Sequence, residues 1–282
     1  MEAPVSVPEA TRPPRSISFI LFLVCGCLAY LPGQMVPERF EVATSFGLCI
    51  LFFGLTLVLR RSRRFRDYWP VFFSYGLGSL ALLLMWLCEA WPLHWLGLSP
   101  HSPQGMAVQK ATDALLCAVA IVVPLRLAQV DLGSIYWQKG KLKLGLLLGL
   151  SLFTVMAALG LWQADSLGIS RERVLSWTPW ILLFILANGF LEELLFRGIF
   201  LKKYEPFLGP HLSNLATALV FAIGHSWVHY TTEIVALLIL TFIFALLAGY
   251  VMQKTQALWP SVLFHAGADT LIIIGMFAGV KT

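Results

Sequence analysis

The chain has 282 residues, of which 58% are hydrophobic and only 12% are charged. Soluble proteins average about a quarter charged residues, so this composition excludes an ordinary soluble domain and a disordered chain. The net charge of +5 is typical of a membrane protein whose loops on one side are rich in Lys and Arg. The sequence gives no support for nucleic-acid binding.

Several stretches reach the roughly 20 apolar residues that a membrane-spanning helix needs. Before the first of them, residues 1–16 are rich in Pro and predict a disordered tail. The expected spans follow one another closely: Ile17–Leu31, Ala43–Leu59, Tyr68–Trp91, Ala111–Val130, Leu144–Trp162, Thr178–Phe200, Ser213–Val228, Ile234–Met252 and Leu258–Val280. The predicted fold class is therefore all-α, a polytopic transmembrane helical bundle of about eight to nine spans.

The positive-inside rule gives an orientation for this bundle. If the N-terminus is cytoplasmic, most Lys and Arg residues of the loops fall on the cytoplasmic side, including the run Arg60–Arg66. In this arrangement Lys110 lies in an outer segment, just before the fourth span. We predict an integral, multi-pass membrane protein with a cytoplasmic N-terminus. The compact loops suit a bacterial inner membrane, and the lipid bilayer is the expected environment.

The cysteines do not predict a metal site or a disulfide framework. All of them lie within apolar runs: Cys25, Cys27, Cys49, Cys88 and Cys117. An odd number of cysteines inside helices, without metal-ligand spacing, is typical of small buried hydrophobic residues.

The sixth span contains two adjacent carboxylates and an arginine. Each charge at membrane depth costs roughly 2.5–3.5 kcal/mol, so such residues usually pair or carry chemistry. Glu193 and Arg197 are four residues apart and lie on one helix face, which predicts an ion pair. Glu192 points about 100° away, on the face of Asn188, and has no charged partner in its own helix. Glu192 is therefore the candidate proton acceptor.

Two later spans carry polar residues at the same spacing of four. Phe221 and His225 lie in the seventh span, and His265 and Asp269 lie in the ninth. Each pair therefore projects from one side of its helix. A carboxylate beside a histidine can hold and deprotonate a water molecule, and a second histidine can donate to a developing oxyanion.

The positions of His225 and His265 along the membrane normal decide whether the three patterns can form one site. With straight helices, His225 would be separated from Glu192 and His265 by about 10 Å along the membrane normal. Gly224 directly precedes His225 and Gly267 lies two residues after His265, and both glycines predict close approach of a neighbouring helix.

Taken in order, the three patterns resemble the signature of the CPBP intramembrane proteases. The patterns are Glu-Glu-x-x-x-Arg at 192–197, Phe-x-x-x-His at 221–225 and His-x-x-x-Asp at 265–269. That family includes CAAX prenyl protease 2 type endopeptidases and the abortive-infection and bacteriocin-processing proteins. The resemblance implies a protease core at residues 170–282, preceded by accessory transmembrane helices at residues 17–165.

The resemblance also implies roles for the polar residues. Glu192 and His225 would activate the water, and Glu193 with Arg197 would brace the first of the three helices. His265 and Asp269 would stabilise the oxyanion. The family commonly carries Asn at the last position, and an ionised Asp accepts hydrogen bonds without donating them, so we expect Asp269 to orient His265. Asn188 and Phe221 are the remaining supporting residues of the predicted site.

The predicted function is an intramembrane endopeptidase that hydrolyses a peptide bond of a membrane-associated protein or peptide. A prenylated tail, a leader peptide and a sorting signal all remain open as substrates, and so does the oligomeric state. By resemblance the mechanism is glutamate-based and needs no cofactor or metal. A zinc site is the alternative, since His225 and His229 have the spacing of two ligands and could combine with Glu192 and His265. A proton-coupled transporter and a non-catalytic immunity or scaffold protein are the alternative functions.

Overall fold

A computed structural model of the protein describes residues 13–88, 90–228 and 232–279. The described residues form ten α-helices without strands: α1 Arg15–Met35, α2 Glu41–Arg61, α3 Trp69–Cys88, α4 Ala90–Leu96, α5 Pro103–Leu127, α6 Leu142–Ser166, α7 Arg171–Glu192, α8 Leu201–Gly224, α9 Ile234–Thr255 and α10 Trp259–Ala278. Nine helical stretches of the described residues are long and apolar enough to cross a membrane. The predicted fold class, a multi-pass helical membrane protein, is confirmed. Most of the predicted tail, residues 1–12, lies outside the described residues.

The α5 helix begins at Pro103, eight positions before the predicted start at Ala111. Ser102 caps it by accepting a hydrogen bond from the Gly105 amide at 3.0 Å, and proline occupies the first helical position. Both features are typical helix starts, and they outweigh the polar residues of the first two turns. As a result, Lys110 lies within a helix that is long and apolar enough to cross a membrane, and its place in an outer segment stays a prediction.

The α8 helix also begins earlier than predicted, at Leu201, where the sequence predicted Ser213. Its regular geometry is interrupted at Gly209, which has a positive φ of 74° and lies between Pro206 and Pro210. A residue with positive φ and a proline lacking its amide proton both break the hydrogen-bond pattern of a helix, so α8 is bent there. His225 follows the end of α8, in a short 3₁₀ turn.

Close packing joins α6 to α10. A Cβ atom added at Gly267 would lie 2.8 Å from the Phe153 backbone, so the absence of a side chain permits this contact. Thr270 donates a hydrogen bond to the carbonyl of Met156 at 3.3 Å in the same interface. The close approach predicted at Gly267 is confirmed. The one predicted at Gly224 was wrong, because a Cβ atom there would lie 3.9 Å from the Phe196 ring, an ordinary van der Waals distance.

The predicted accessory helices share their interior with the C-terminal helices. Tyr30 of α1 donates a hydrogen bond to the carbonyl of Leu195 at 2.7 Å. The hydroxyls of Tyr75 in α3 and Tyr204 in α8 lie 2.8 Å apart, and the Phe22 ring stacks on Tyr204 at 4.6 Å. These buried contacts hold the helices that precede residue 165 against those that carry the three motifs.

Candidate active site

The two adjacent glutamates lie where α7 changes its winding. Glu192 is the last residue of α7, and Glu193 begins a π-helical turn that ends at Gly198. Wider turns of this kind are rare and often occur at functional sites. Within the turn, Nη1 of Arg197 donates to Oε1 of Glu193 at 2.6 Å, and neither side chain is exposed. The predicted ion pair is confirmed.

Arg197 is held from three directions. Its Nε donates to the carbonyl of Ala245 in α9 at 3.3 Å. Its guanidinium lies over the Phe221 ring at 4.4 Å and near the Phe244 ring at 5.8 Å. A buried charge needs such compensation because its removal from water costs several kcal/mol. The charge pair therefore links the π-helical turn to both α8 and α9.

Glu193 also contacts His265, a contact that the helix-face argument did not predict. Nδ1 of His265 lies 2.8 Å from the same Oε1 atom that Arg197 contacts. Because the ion pair keeps Glu193 ionised, the carboxylate can only accept, so Nδ1 of His265 is the donor. This bond fixes the ring of His265 and directs its Nε2 away from Glu193.

Glu192 faces both motif histidines. Its Oε2 lies 3.9 Å from Nε2 of His225 and 3.5 Å from Nε2 of His265. The three motifs therefore meet, and the separation expected for straight helices was wrong. The described α8 is bent at Gly209, so it does not follow the straight path on which that separation was based. Both separations exceed the usual length of a direct hydrogen bond, so the three atoms surround a small gap.

The orientation of His225 follows from its own helix. Its Nδ1 lies 2.9 Å from the carbonyl of Phe221, and since a carbonyl can only accept, Nδ1 carries the proton. Nε2 is consequently the atom that faces Glu192. The Phe221 ring packs against His225 at 4.5 Å and meets His265 edge-on at 5.9 Å. Phe221 thus separates the imidazoles from the rest of α8.

Asp269 and Asn188 complete the polar cluster. Nδ2 of Asn188 donates to Oδ2 of Asp269 at 3.1 Å, so Asn188 is bonded to α10 although the sequence predicted that it stacks with Glu192. Oδ1 of Asp269 lies 3.6 Å from Nε2 of His265, beyond a direct hydrogen bond, and its expected role in orienting the imidazole stays a prediction. The structure therefore brings together all eight predicted residues: Glu192, His225, His265, Asp269, Glu193, Arg197, Asn188 and Phe221.

Two residues near the cluster were missed by the sequence analysis. The ring of Phe244 in α9 meets His265 edge-on at 4.8 Å, and its place in a uniformly apolar run gave no signal. The ammonium of Lys110 in α5 interacts electrostatically with the carboxylates of Glu192 and Asp269. For Lys110 a signal did exist, because Ser102 followed by Pro103 is a typical helix start that places this cation in α5.

The metal alternative is not decided by the described residues. Among residues 13–88, 90–228 and 232–279, no group of three or more His, Cys, Asp or Glu side chains has the arrangement of a metal site. His229, which the zinc hypothesis pairs with His225, lies outside the described residues. The requirement for a metal or cofactor therefore stays a prediction.

The arrangement has the parts that water-dependent hydrolysis requires. Glu192 is not paired with the arginine and faces the imidazoles of His225 and His265, and the buried ion pair of Glu193 and Arg197 lies beside them. Residues 174–271 match the model of a protein family, the type II CAAX prenyl endopeptidase Rce1-like family. This segment contains all three motifs, so the family resemblance predicted from them is confirmed. No curated protein and no solved structure matches the chain.

Proposed function

With residues 174–271 matching the Rce1-like family, we propose that this multi-pass membrane protein is an endopeptidase in which Glu192 activates a water molecule for peptide-bond hydrolysis. The observation that carries the proposal is the convergence of Oε2 of Glu192 with Nε2 of His225 and Nε2 of His265. The three side chains come from separate helices, and each belongs to one motif of the family.

Glu192 is better suited than Glu193 to take a proton from water. Oε1 of Glu193 already accepts from Arg197 and from His265, and its side chain is not exposed at all. The Glu192 side chain is 18% exposed and faces the gap between the imidazoles. A water oxygen about 2.8 Å from both Glu192 Oε2 and His225 Nε2 fits their separation of 3.9 Å. A positioned carboxylate of this kind contributes typically 10²–10⁴-fold as a general base.

The proton transfers then follow from the geometry. Glu192 takes one proton while the water oxygen attacks the peptide carbonyl, whose oxygen becomes negatively charged. Donors beside that oxygen stabilise the charge, and Nε2 of His265, at 3.5 Å from Glu192, is a side-chain candidate that donates when the imidazole is protonated on both nitrogens. The carboxyl of Glu192 returns the proton to the leaving amine, which completes hydrolysis and restores the carboxylate.

The family match favours one of the three substrate classes left open by the sequence. The family is described as a prenyl endopeptidase acting on CAAX sequences, which are C-terminal motifs whose Cys carries an isoprenoid. A substrate with a lipid anchor would approach a site that lies within the bilayer. We therefore propose a prenylated C-terminal peptide as the substrate, ahead of a leader peptide or a sorting signal.

Cleavage of an internally quenched, farnesylated peptide ending in a CAAX sequence tests the proposal. The protein is purified in detergent and compared with its Glu192→Gln and His225→Ala variants, each checked for folding by thermal melting. The matched control is Glu172→Gln, which changes an acid in the first turn of the same helix. Cleavage by the wild type and the control, with loss in both site variants, supports the proposal. Equal cleavage by all four proteins contradicts it, and proton flux into liposomes that depends on Glu192 would favour the transporter instead.

A further inference from the structure

Asn188 and Asp269 form a buried amide–carboxylate pair between α7 and α10. Their exposed fractions are 7% and 9%, and Nδ2 of Asn188 donates to Oδ2 of Asp269 at 3.1 Å. The other oxygen of Asp269, Oδ1, lies 3.6 Å from Nε2 of His265. Asn188 therefore holds Oδ2 of the Asp269 carboxylate, while Oδ1 faces the imidazole of His265.

The surroundings of Nε2 show why this orientation matters. Nδ1 of His265 donates to Glu193, so Nε2 is the ring atom directed at Glu192 Oε2 and at Asp269 Oδ1. Three acceptors facing one another would repel, so these atoms share at least one proton. A group at position 269 that presented hydrogen atoms instead of an oxygen would remove the acceptor beside His265. The site therefore needs an oxygen of residue 269 to be directed at the imidazole.

We propose that Asn188 is a positioning residue for hydrolysis, whose amide holds the carboxylate of Asp269 so that its other oxygen, Oδ1, stays directed at His265. The proposal rests on the proposed function, because its readout is peptide cleavage. Asn188 lies one helical turn before Glu192, so the same helix carries both the proton acceptor and the residue that aligns the partner of His265. Asn188 acts through Asp269 and does not itself contact the reacting atoms.

Exchange of the two side chains gives a sharp test. Asn188→Asp places two carboxyl groups in contact, and we expect kcat to fall about tenfold or more with KM unchanged, because the amide donor is replaced by an acid that either repels Asp269 or shares a proton with it. In the double variant Asn188→Asp/Asp269→Asn, the amide of residue 269 must turn its hydrogen atoms to the new carboxylate and its oxygen to His265. That restores the wild-type arrangement around Nε2, so kcat should recover from the single-variant value.

Asn188→Ala is the second variant in case Asn188→Asp does not fold. This substitution introduces no charge, and we expect it to lower kcat with KM unchanged. Adding Asp269→Asn to Asn188→Ala should not restore kcat, because the new amide at position 269 would lack a partner that fixes its orientation. Thermal melting of every variant separates folding from catalysis.

The inference is overturned if folded Asn188→Asp or Asn188→Ala keeps the wild-type kcat, or if folded Asn188→Asp/Asp269→Asn is no faster than Asn188→Asp. Cleavage by the wild type that is lost in Glu192→Gln would, in those cases, leave the proposed function intact. Failure of the proposed function is recognised separately, by the absence of any difference between the wild type and Glu192→Gln.

Discussion

Nδ1 of His265 donates to Oε1 of Glu193 across 2.8 Å, and this bond joins α10 to the turn that follows α7. The same oxygen accepts from Arg197 at 2.6 Å, so the imidazole is oriented by a carboxylate that is itself held by a buried cation. Glu193 is therefore a support for the histidine, while Glu192 faces the gap between the two imidazoles. Two adjacent residues of identical chemistry thus have different surroundings and different expected functions.

Glu193→Gln should destabilise the protein. It leaves Arg197 as an uncompensated buried charge, a change that typically costs about 3–5 kcal/mol. The measurement is thermal unfolding of the purified protein in detergent, with Glu172→Gln as the control on the same helix. Glu193→Gln/Arg197→Met removes both charges and should melt higher than Glu193→Gln alone. A Glu193→Gln variant as stable as the wild type would contradict the role given to this pair.

Lys110→Met should lower kcat without lowering the melting temperature. The ammonium interacts electrostatically with Glu192 and Asp269, so its loss leaves an excess of negative charge where an oxyanion must form. Removal of one stabilising group from such a site costs up to about 10²-fold in kcat. Lys110→Arg keeps the charge and should retain most activity. Lys143→Met, at an exposed position of α6, is the matched control, and an equal effect of both Met variants would argue against a local role for Lys110.

Gly267→Ala should destabilise the packing of α6 against α10. The new methyl group would lie 2.8 Å from the Phe153 backbone, so the helices must separate, and overpacking of this kind costs typically 1–3 kcal/mol. Gly47→Ala in α2 is the control, since a Cβ atom there meets nothing within 4 Å and alanine favours a helix. The measurement is thermal unfolding of both variants. Similar melting temperatures for Gly267→Ala and Gly47→Ala would contradict the prediction, because the added methyl group would then not disturb the packing of α6 against α10.

Tyr75→Phe should weaken the attachment of the N-terminal helices. The hydroxyl donates to the carbonyl of Phe22 at 3.0 Å and lies 2.8 Å from the hydroxyl of Tyr204. Its removal leaves buried polar groups without this partner, at a cost of about 1–3 kcal/mol. We expect a lower melting temperature with catalysis retained at low temperature, because these residues do not contact the motif side chains. Unchanged thermal unfolding would show that this bond adds nothing to the bundle.

The sequence by itself determined the helical class, the multi-pass membrane architecture and the three motifs of the family. Long apolar runs specify spanning helices because unpaired backbone groups are too costly in lipid, and a spacing of four places Glu193 beside Arg197 in one helix. Both arguments are local, so they need no knowledge of how distant segments pack.

Only the tertiary structure decided which polar groups meet across helices. The bonds from His265 to Glu193 and from Asn188 to Asp269 depend on the rotation of α10 against α7, and the distance from Glu192 to His225 depends on where α8 starts and bends. These relations arise from the packing of helices far apart in the chain, which periodicity within a single helix does not specify. The place of Lys110 shows the same limit, because the sequence assigned it to an outer segment, whereas the structure places it in α5, where its ammonium interacts electrostatically with Glu192 and Asp269.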